Sequence, residues 1–314
     1  MPYNNLISRT DAAALIPEQV VSDLLKGLQN ESAALQAFTR VPVGAAQSRF
    51  PVLSALPVAY FVTGDTGLKQ TSEVNWANKY LNIEEIATIV PIPEAVLDDA
   101  DFDMWGQVRP LVEQAIARTL DAAIFFGTNA PASWPTNIVA AAVAAGNTAT
   151  RGTNAAAAGG IVGDISEVLS DLEADGYDAN AVIANRTYRG YLRQARATTG
   201  EALAETGDPM QSSVYGLDFI YPMRGLWPTG ASAAELIAMD RSEFVIAIRQ
   251  DVTFKILDQA VIQDNTGAIV YNLPQQDMVA LRAVMRVGWQ VANTINYDQA
   301  TEASRYPASV LRAP

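Results

Sequence analysis

The chain is 314 residues long, 49% hydrophobic and 18% charged, with 21 basic against 34 acidic side chains and a formal net charge of −13. It contains no cysteine and no histidine, which excludes disulfides, thiolate nucleophiles, imidazole bases and the usual zinc, copper and haem ligands. So acidic a chain is repelled by polyphosphate rather than coating it, and its length exceeds what one core fills, so two subdomains are expected.

No apolar run reaches the ~18 residues of a membrane helix, and the opening MPYNNLISRTDAAAL has neither a basic start nor a signal-type apolar stretch, so a soluble product made in a cytoplasm is expected. Residues 16–38 place Val20, Val21, Leu24, Leu25, Leu28, Leu35 and Phe38 at helical spacing behind Pro17, which predicts an amphipathic helix. From Leu53 to Ile92 the pattern is a long hairpin: PVAYFV leads out, GDTG turns, and a strand returns from about Val74. The apolar parity switches at Glu84-Glu85, which predicts a bulge or bend where the arm meets the body.

Asp98, Asp99, Asp101 and Asp103 precede a helical pattern of Trp105, Val108, Leu111, Val112, Ala115, Ile116, Leu120 and Ile124 that stops at Gly127. Pro110 sets the expected start of the regular helix near Arg109. The Ala/Gly/Thr/Asn-rich residues 139–160 are expected to be a surface loop or boundary. Beyond them, helical and strand patterns alternate through Ile248, predicting a mixed subdomain with its own core. Val279, Leu281, Ala283, Met285, Val287, Trp289 and Val291 then alternate along a long strand, and the tail TEASRYPASVLRAP is expected to be open.

Candidate chemistry fails on residue type and spacing. Asp99, Asp101 and Asp103 open like a calcium loop, but the sixth position is Met104 instead of glycine and the twelfth is Pro110 instead of glutamate. Acids ahead of a helix are explained by capping and by the helix dipole. Glu84 and Glu85, adjacent on a strand, point to opposite faces and form a glycosidase-like pair only if a bulge re-aims one. GDTGLKQ lacks phosphate-loop spacing, GGIVGD follows no strand, and no Ser-x-x-Lys motif contains Lys26, Lys69, Lys79 or Lys255. No catalytic residue, cofactor or metal site is expected.

The arm needs another explanation. A lone two-stranded hairpin is marginal in water, and ordering each residue costs about 1–2 kcal/mol. An arm carrying Tyr60, Phe61, Trp76 and Tyr80 needs a surface to lie on. With the N-terminal helix and the tail it points to a structural subunit of an assembly.

In this order the segments IPEQVVSDLLKGLQNESAALQAF, FPVL, TGDTGLKQTSEVNW, LNIEEIATIVPIPEAVLDDA, RPLVEQAIARTLDAAIFFGT, AVIANRTYRGYLRQ, GLDFIYPM, LIAMDRSEFVIAIRQDVTFKI and DMVALRAVMRVGWQV resemble the major capsid proteins of tailed bacteriophages, the Hong Kong 97-type fold. The resemblance implies an α+β chain with an N-terminal arm with amphipathic helix (1–49), an extended loop (50–84), a peripheral domain with a spine helix (85–160), an axial domain (161–272), and a return strand of the peripheral domain with the C-terminal tail (273–314). It implies a structural protein of the virion, assembled in the host cytoplasm from hexamers and pentamers into an icosahedral head around double-stranded DNA. A portal and separate scaffold, protease or decoration proteins are the implied partners. Gly64, Gly67, Lys69, Glu73, Trp76, Glu84 and Glu85 become the expected interface set: glycines shaping the loop tip, charges for a neighbour, and Trp76 for anchoring area. Some family members cross-link an extended-loop lysine to an asparagine; here Lys69 fits the lysine, but Gln276-Asp277 stands at the asparagine's place, so cross-linking is not expected. The alternatives are an encapsulin-like compartment of the same fold and a carboxylate hydrolase using the aspartate cluster.

Overall fold

The computed structural model describes residues 32–62, 68–99, 103–196, 199–200, 213–223 and 225–314. Most of the expected helix over 16–38 therefore lies outside the described residues; what is described of it is the short helix α1 (Ala33–Ala37). The chain divides into two compact units. One holds 85–117 and 250–287, and the other 32–84, 118–249 and 288–314. Residues 250–272, grouped above with the axial segment, fall in the first of these.

The second unit is built on a six-stranded sheet of β5 (Thr148–Thr150), β6 (Ala181–Ala184), β7 (Ser213–Val214), β8 (Leu217–Ile220), β9 (Ala234–Met239) and β14 (Ala308–Arg312), in the order β5-β14-β9-β6-β8-β7. Strand β6, AVIA, is buried at every position, as expected for a strand covered on both faces. Helix α5 (Ile161–Ala174) buries Val162, Ile165, Val168 and Leu172, one apolar stripe at helical spacing. Tyr188 and Leu192 of α6 (Tyr188–Gln194) join the same core as Val182, Leu236, Ala238 and Leu311.

Two expectations are corrected in this unit. The tail is not open: β14 pairs in parallel with β5 and antiparallel with β9, and Ala308, Val310 and Leu311 have no exposed surface. Nor are residues 139–160 all loop. Helix α4 (Ile138–Ala145) is capped by the Asn137 side chain, which accepts from Ala140 N, and it ends at Gly146 with φ 96°. Alanine is the strongest helix former, and Asn before with Gly after is the ordinary punctuation of a helix.

The first unit contains most of β4 (Glu84–Pro93), the short helix α2 (Glu94–Asp98), the N-terminal part of α3 (Met104–Phe126), and parts of β10 (Phe244–Leu257) and β13 (Met278–Val291). A β11 (Val261–Gln263) and β12 (Ile269–Asn272) hairpin closes a small core of Leu273, Met278 and Ala280 with Leu257, Ile262 and Tyr271. The long strand β13 buries 281, 283, 285, 287, 289 and 291 of the expected set, but Val279 is only half-buried and Ala280, Val284 and Gly288 on the other face are buried as well, so both faces are largely covered. It lies between β10 and β4, while in the second unit β1 (Thr39–Pro42) pairs in parallel with residues 245–248 of β10.

Helix α3 also corrects its expected start. It begins at Met104, not near Arg109, and carries Pro110 inside. The proline leaves the carbonyl of residue 106 without its usual donor. That residue is a glycine and is exposed, so the freed carbonyl is not buried. Met104, Val108, Val112, Ile116, Leu120 and Ile124 form its buried stripe.

Candidate assembly interface

Strands β2 (Gln47–Ala55) and β3 (Asn75–Asn82) pair antiparallel from Gln47↔Asn82 to Leu53↔Trp76. The outgoing strand is therefore 47–55, and PVAYFV forms a leg beyond it outside any regular strand. Facing legs 56–62 and 68–74 are held by Tyr60 Oη donating to Gln70 O at 2.7 Å and by Val58 N donating to Ser72 Oγ at 2.7 Å. Within the two strands only Val52 and Leu81 are buried.

The arm exposes large apolar side chains. Phe61 is fully exposed, Leu68 is 90% exposed and Trp76 68%. Fully covering such a side chain contributes about 1.5–3 kcal/mol, and contiguous exposed apolar patches mark interaction sites. Lys69 and Glu73 are exposed and have no hydrogen-bond or ion-pair partner among the described residues. Gly64 and Gly67 lie outside the described residues.

The root of the arm is organised by a residue the sequence did not single out. The Asn82 side chain accepts from Gln47 Nε2 at 2.9 Å and donates to Ser133 O at 2.8 Å, while its backbone carbonyl accepts from Trp134 Nε1 at 3.2 Å. Three contacts tie the arm to residues 290–302: Lys79 Nζ to Glu302 Oε1 at 2.6 Å, Gln290 Nε2 to Tyr80 O at 3.0 Å, and Tyr297 Oη to Pro57 O at 2.8 Å. The hydrogen bond and charge of Lys79 hold the Glu302 carboxyl below its ordinary pKa. No local sequence pattern pairs such residues.

The strand break falls at Ile83, whose N donates to Ala46 O at 3.0 Å, next to the expected bend. Glu84 accepts from Ser133 Oγ at 2.5 Å, and Glu85 pairs with Arg286 at 2.9 Å. The two carboxylates serve different partners and do not converge. The Glu85–Arg286 pair is about half exposed on both sides, a setting in which an ion pair contributes at most about 1 kcal/mol.

A buried clamp fixes the chain just before the arm. Asp121 on α3 accepts from Ser32 Oγ, from Ala33 N at 2.8 Å and from Ala34 N at 3.1 Å, and Phe38 then stacks on Phe244 with ring centroids 5.1 Å apart. The sequence gives Asp121 no distinguishing context beyond being an acid inside an apolar helix stripe.

A mixed α+β chain whose arm exposes large apolar side chains and buries few residues of its own is suited to contact other chains in an assembly. The chain belongs to the phage capsid family, whose model matches residues 12–295. It is 24% identical over 311 residues to the major capsid protein of Staphylococcus phage 80alpha, an alignment covering 98% of this chain and 91% of that one. A solved chain of Microbacterium phage Oxtober96 is 38% identical with a TM-score of 0.83, covering 98% of this chain and 99% of its own. One of Mycobacterium phage Bobi is 33% identical with a TM-score of 0.81 and the same coverage. The protein is a major capsid protein of the tailed-phage type, a component of the virion's head shell and not an enzyme. These relatives leave the compartment and hydrolase alternatives without support. Among the described residues no helix is long and apolar enough to cross a membrane.

Proposed function

We propose that the arm is the strap by which this capsid protein joins its neighbours into hexamers and pentamers, enclosing double-stranded DNA without gripping it. The observation that carries this reading is the arm's exposed apolar surface, Phe61, Leu68 and Trp76, on a hairpin that has almost no buried residue of its own. Lys69 and Glu73 supply charges for the neighbour, and Glu84 and Glu85 lie at the root of the arm, at the start of β4. On this reading residues 161–249, in the unit with the six-stranded sheet, belong to the axial domain, and residues 85–117 and 273–287, in the other unit, belong to the peripheral domain. A portal and any scaffold, protease or decoration protein are separate chains. The net charge of −13 supports an inner surface that leaves packaged DNA free to move.

Electron microscopy of a variant lacking residues 63–75 tests the strap. The expected result is a folded monomer, by circular dichroism and sedimentation, that makes no closed particles. Intact shells from that deletion refute the role.

A further inference from the structure

Helix α4 is apolar at all eight positions, yet only Ile138 and Ala142 are buried. A helix with no polar face belongs in an interior, so its outer side calls for a cover. Val139, Ala140 and Val143 on that side line a groove of about 440 Å³ together with Phe126, Pro228 and Arg312. Arg312 is fixed there by Nε donating to Ser232 O at 2.9 Å and brings a positive charge.

The same chain carries the complementary surplus. Phe61 and Leu68 flank the arm tip and stand almost wholly in solvent, and Glu73 follows on the returning leg. We propose that Phe61 and Leu68 of one copy seat in the α4 groove of a neighbouring copy, with Glu73 facing Arg312. The assignment rests on the strap reading and names the surface the strap meets.

Size, polarity and charge agree. The groove falls in the range of pockets that take compact apolar groups, and it is large enough for the two side chains while its single cation matches the one acid that follows them. The two patches are different surfaces of one chain. Their contact is therefore head-to-tail, and repeated about an axis it closes a ring.

Because the chain has no cysteine, paired cysteines report the contact without background. In assembled particles of a Phe61→Cys/Val143→Cys double variant, oxidation is expected to give a ladder reaching pentamers and hexamers on a denaturing, non-reducing gel. Each single variant, with no cysteine facing its own, should stay monomeric on the gel. Monomers alone after oxidation, or links within one chain, overturn the proposal.

A second variant separates it from the reading beneath it. Ala140→Glu places an acid at the third helical position, where the dipole favours it, and sets a carboxylate in the groove against Glu73. A roughly tenfold or greater loss of particles, with an unchanged melting curve, is expected from blocking an anchoring pocket. If deleting the arm abolishes particles and Ala140→Glu does not, the strap stands and the groove assignment falls. If neither change matters, the strap itself falls.

Discussion

Ser32 and Asp121 meet in the interior although 89 positions separate them, the serine hydroxyl donating to the carboxylate that also accepts from Ala33 N and Ala34 N. One side chain of α3 therefore satisfies the free amides at the start of α1 and anchors that helix to α3.

Asp121→Ala is expected to unfold this junction. It strands three buried donors, and each unsatisfied one costs about 1–3 kcal/mol, so the loss should be roughly 3 kcal/mol or more, with a clear fall in Tm. Ser32→Ala removes only one donor and should cost less. Equal Tm values for wild type and Asp121→Ala overturn the clamp.

The same carboxyl gives a pH signature. Burial pushes it from 3.8 up to about 6, outweighing the hydrogen bonds from Ser32, Ala33 and Ala34 that pull it down. The folded chain then holds a proton that the unfolded chain has released. This contribution to stability is complete below about pH 4 and is lost as the pH rises to about 6, a swing of roughly 3 kcal/mol. Urea titrations of wild type and Asp121→Asn should diverge across that window, with wild type losing ground as pH rises. Parallel curves from pH 4 to 7 contradict the assignment.

Gly288→Ala tests the arm's root. A Cβ there would stand 2.3 Å from Asn82 O and 3.0 Å from Ile83 Cδ1, so the root must shift away from β13. Overpacking of this kind costs about 1–3 kcal/mol. Hydrogen exchange should quicken first in residues 75–83; protection unchanged there is the contrary outcome.

Val310→Asp addresses β14. Val310 faces Thr148 and Ile237 in the sheet and has no exposed surface. A buried unpaired charge at a central strand belongs to the exceptional class of losses above about 4 kcal/mol. Insoluble protein is expected, and a soluble variant with a native melting curve argues against a buried β14.

What the sequence made legible follows from local periodicity. The stripe of α3 from Val108 to Ile124 and the alternation of β13 from Leu281 to Val291 repeat long enough to be read directly. Helix α4 was readable too, from Asn137 and Gly146 around an Ala/Val run, but composition over the wider 139–160 window masks it. Strand β14 was not readable: five residues carry no period, and its burial depends on β5 and β9 from elsewhere in the chain. Pro110 misled about α3 because a proline disfavours but does not forbid a helix interior, and here the helix runs through it from Met104 to Phe126. On the arm, the exposure of Trp76, Lys69 and Glu73 follows from a hairpin with little of its own to bury. The roles of Asn82, Tyr297 and Glu302 were not readable, because their contacts join segments far apart in the sequence.

The place of β14 between β5 and β9 sets an order of events in the making of the subunit. The sheet stays open between β5 and β9 until residues 308–312 join it. Long-range pairing of this kind also slows folding. Closure of the sheet thus depends on one five-residue strand whose partners lie far from it in the sequence.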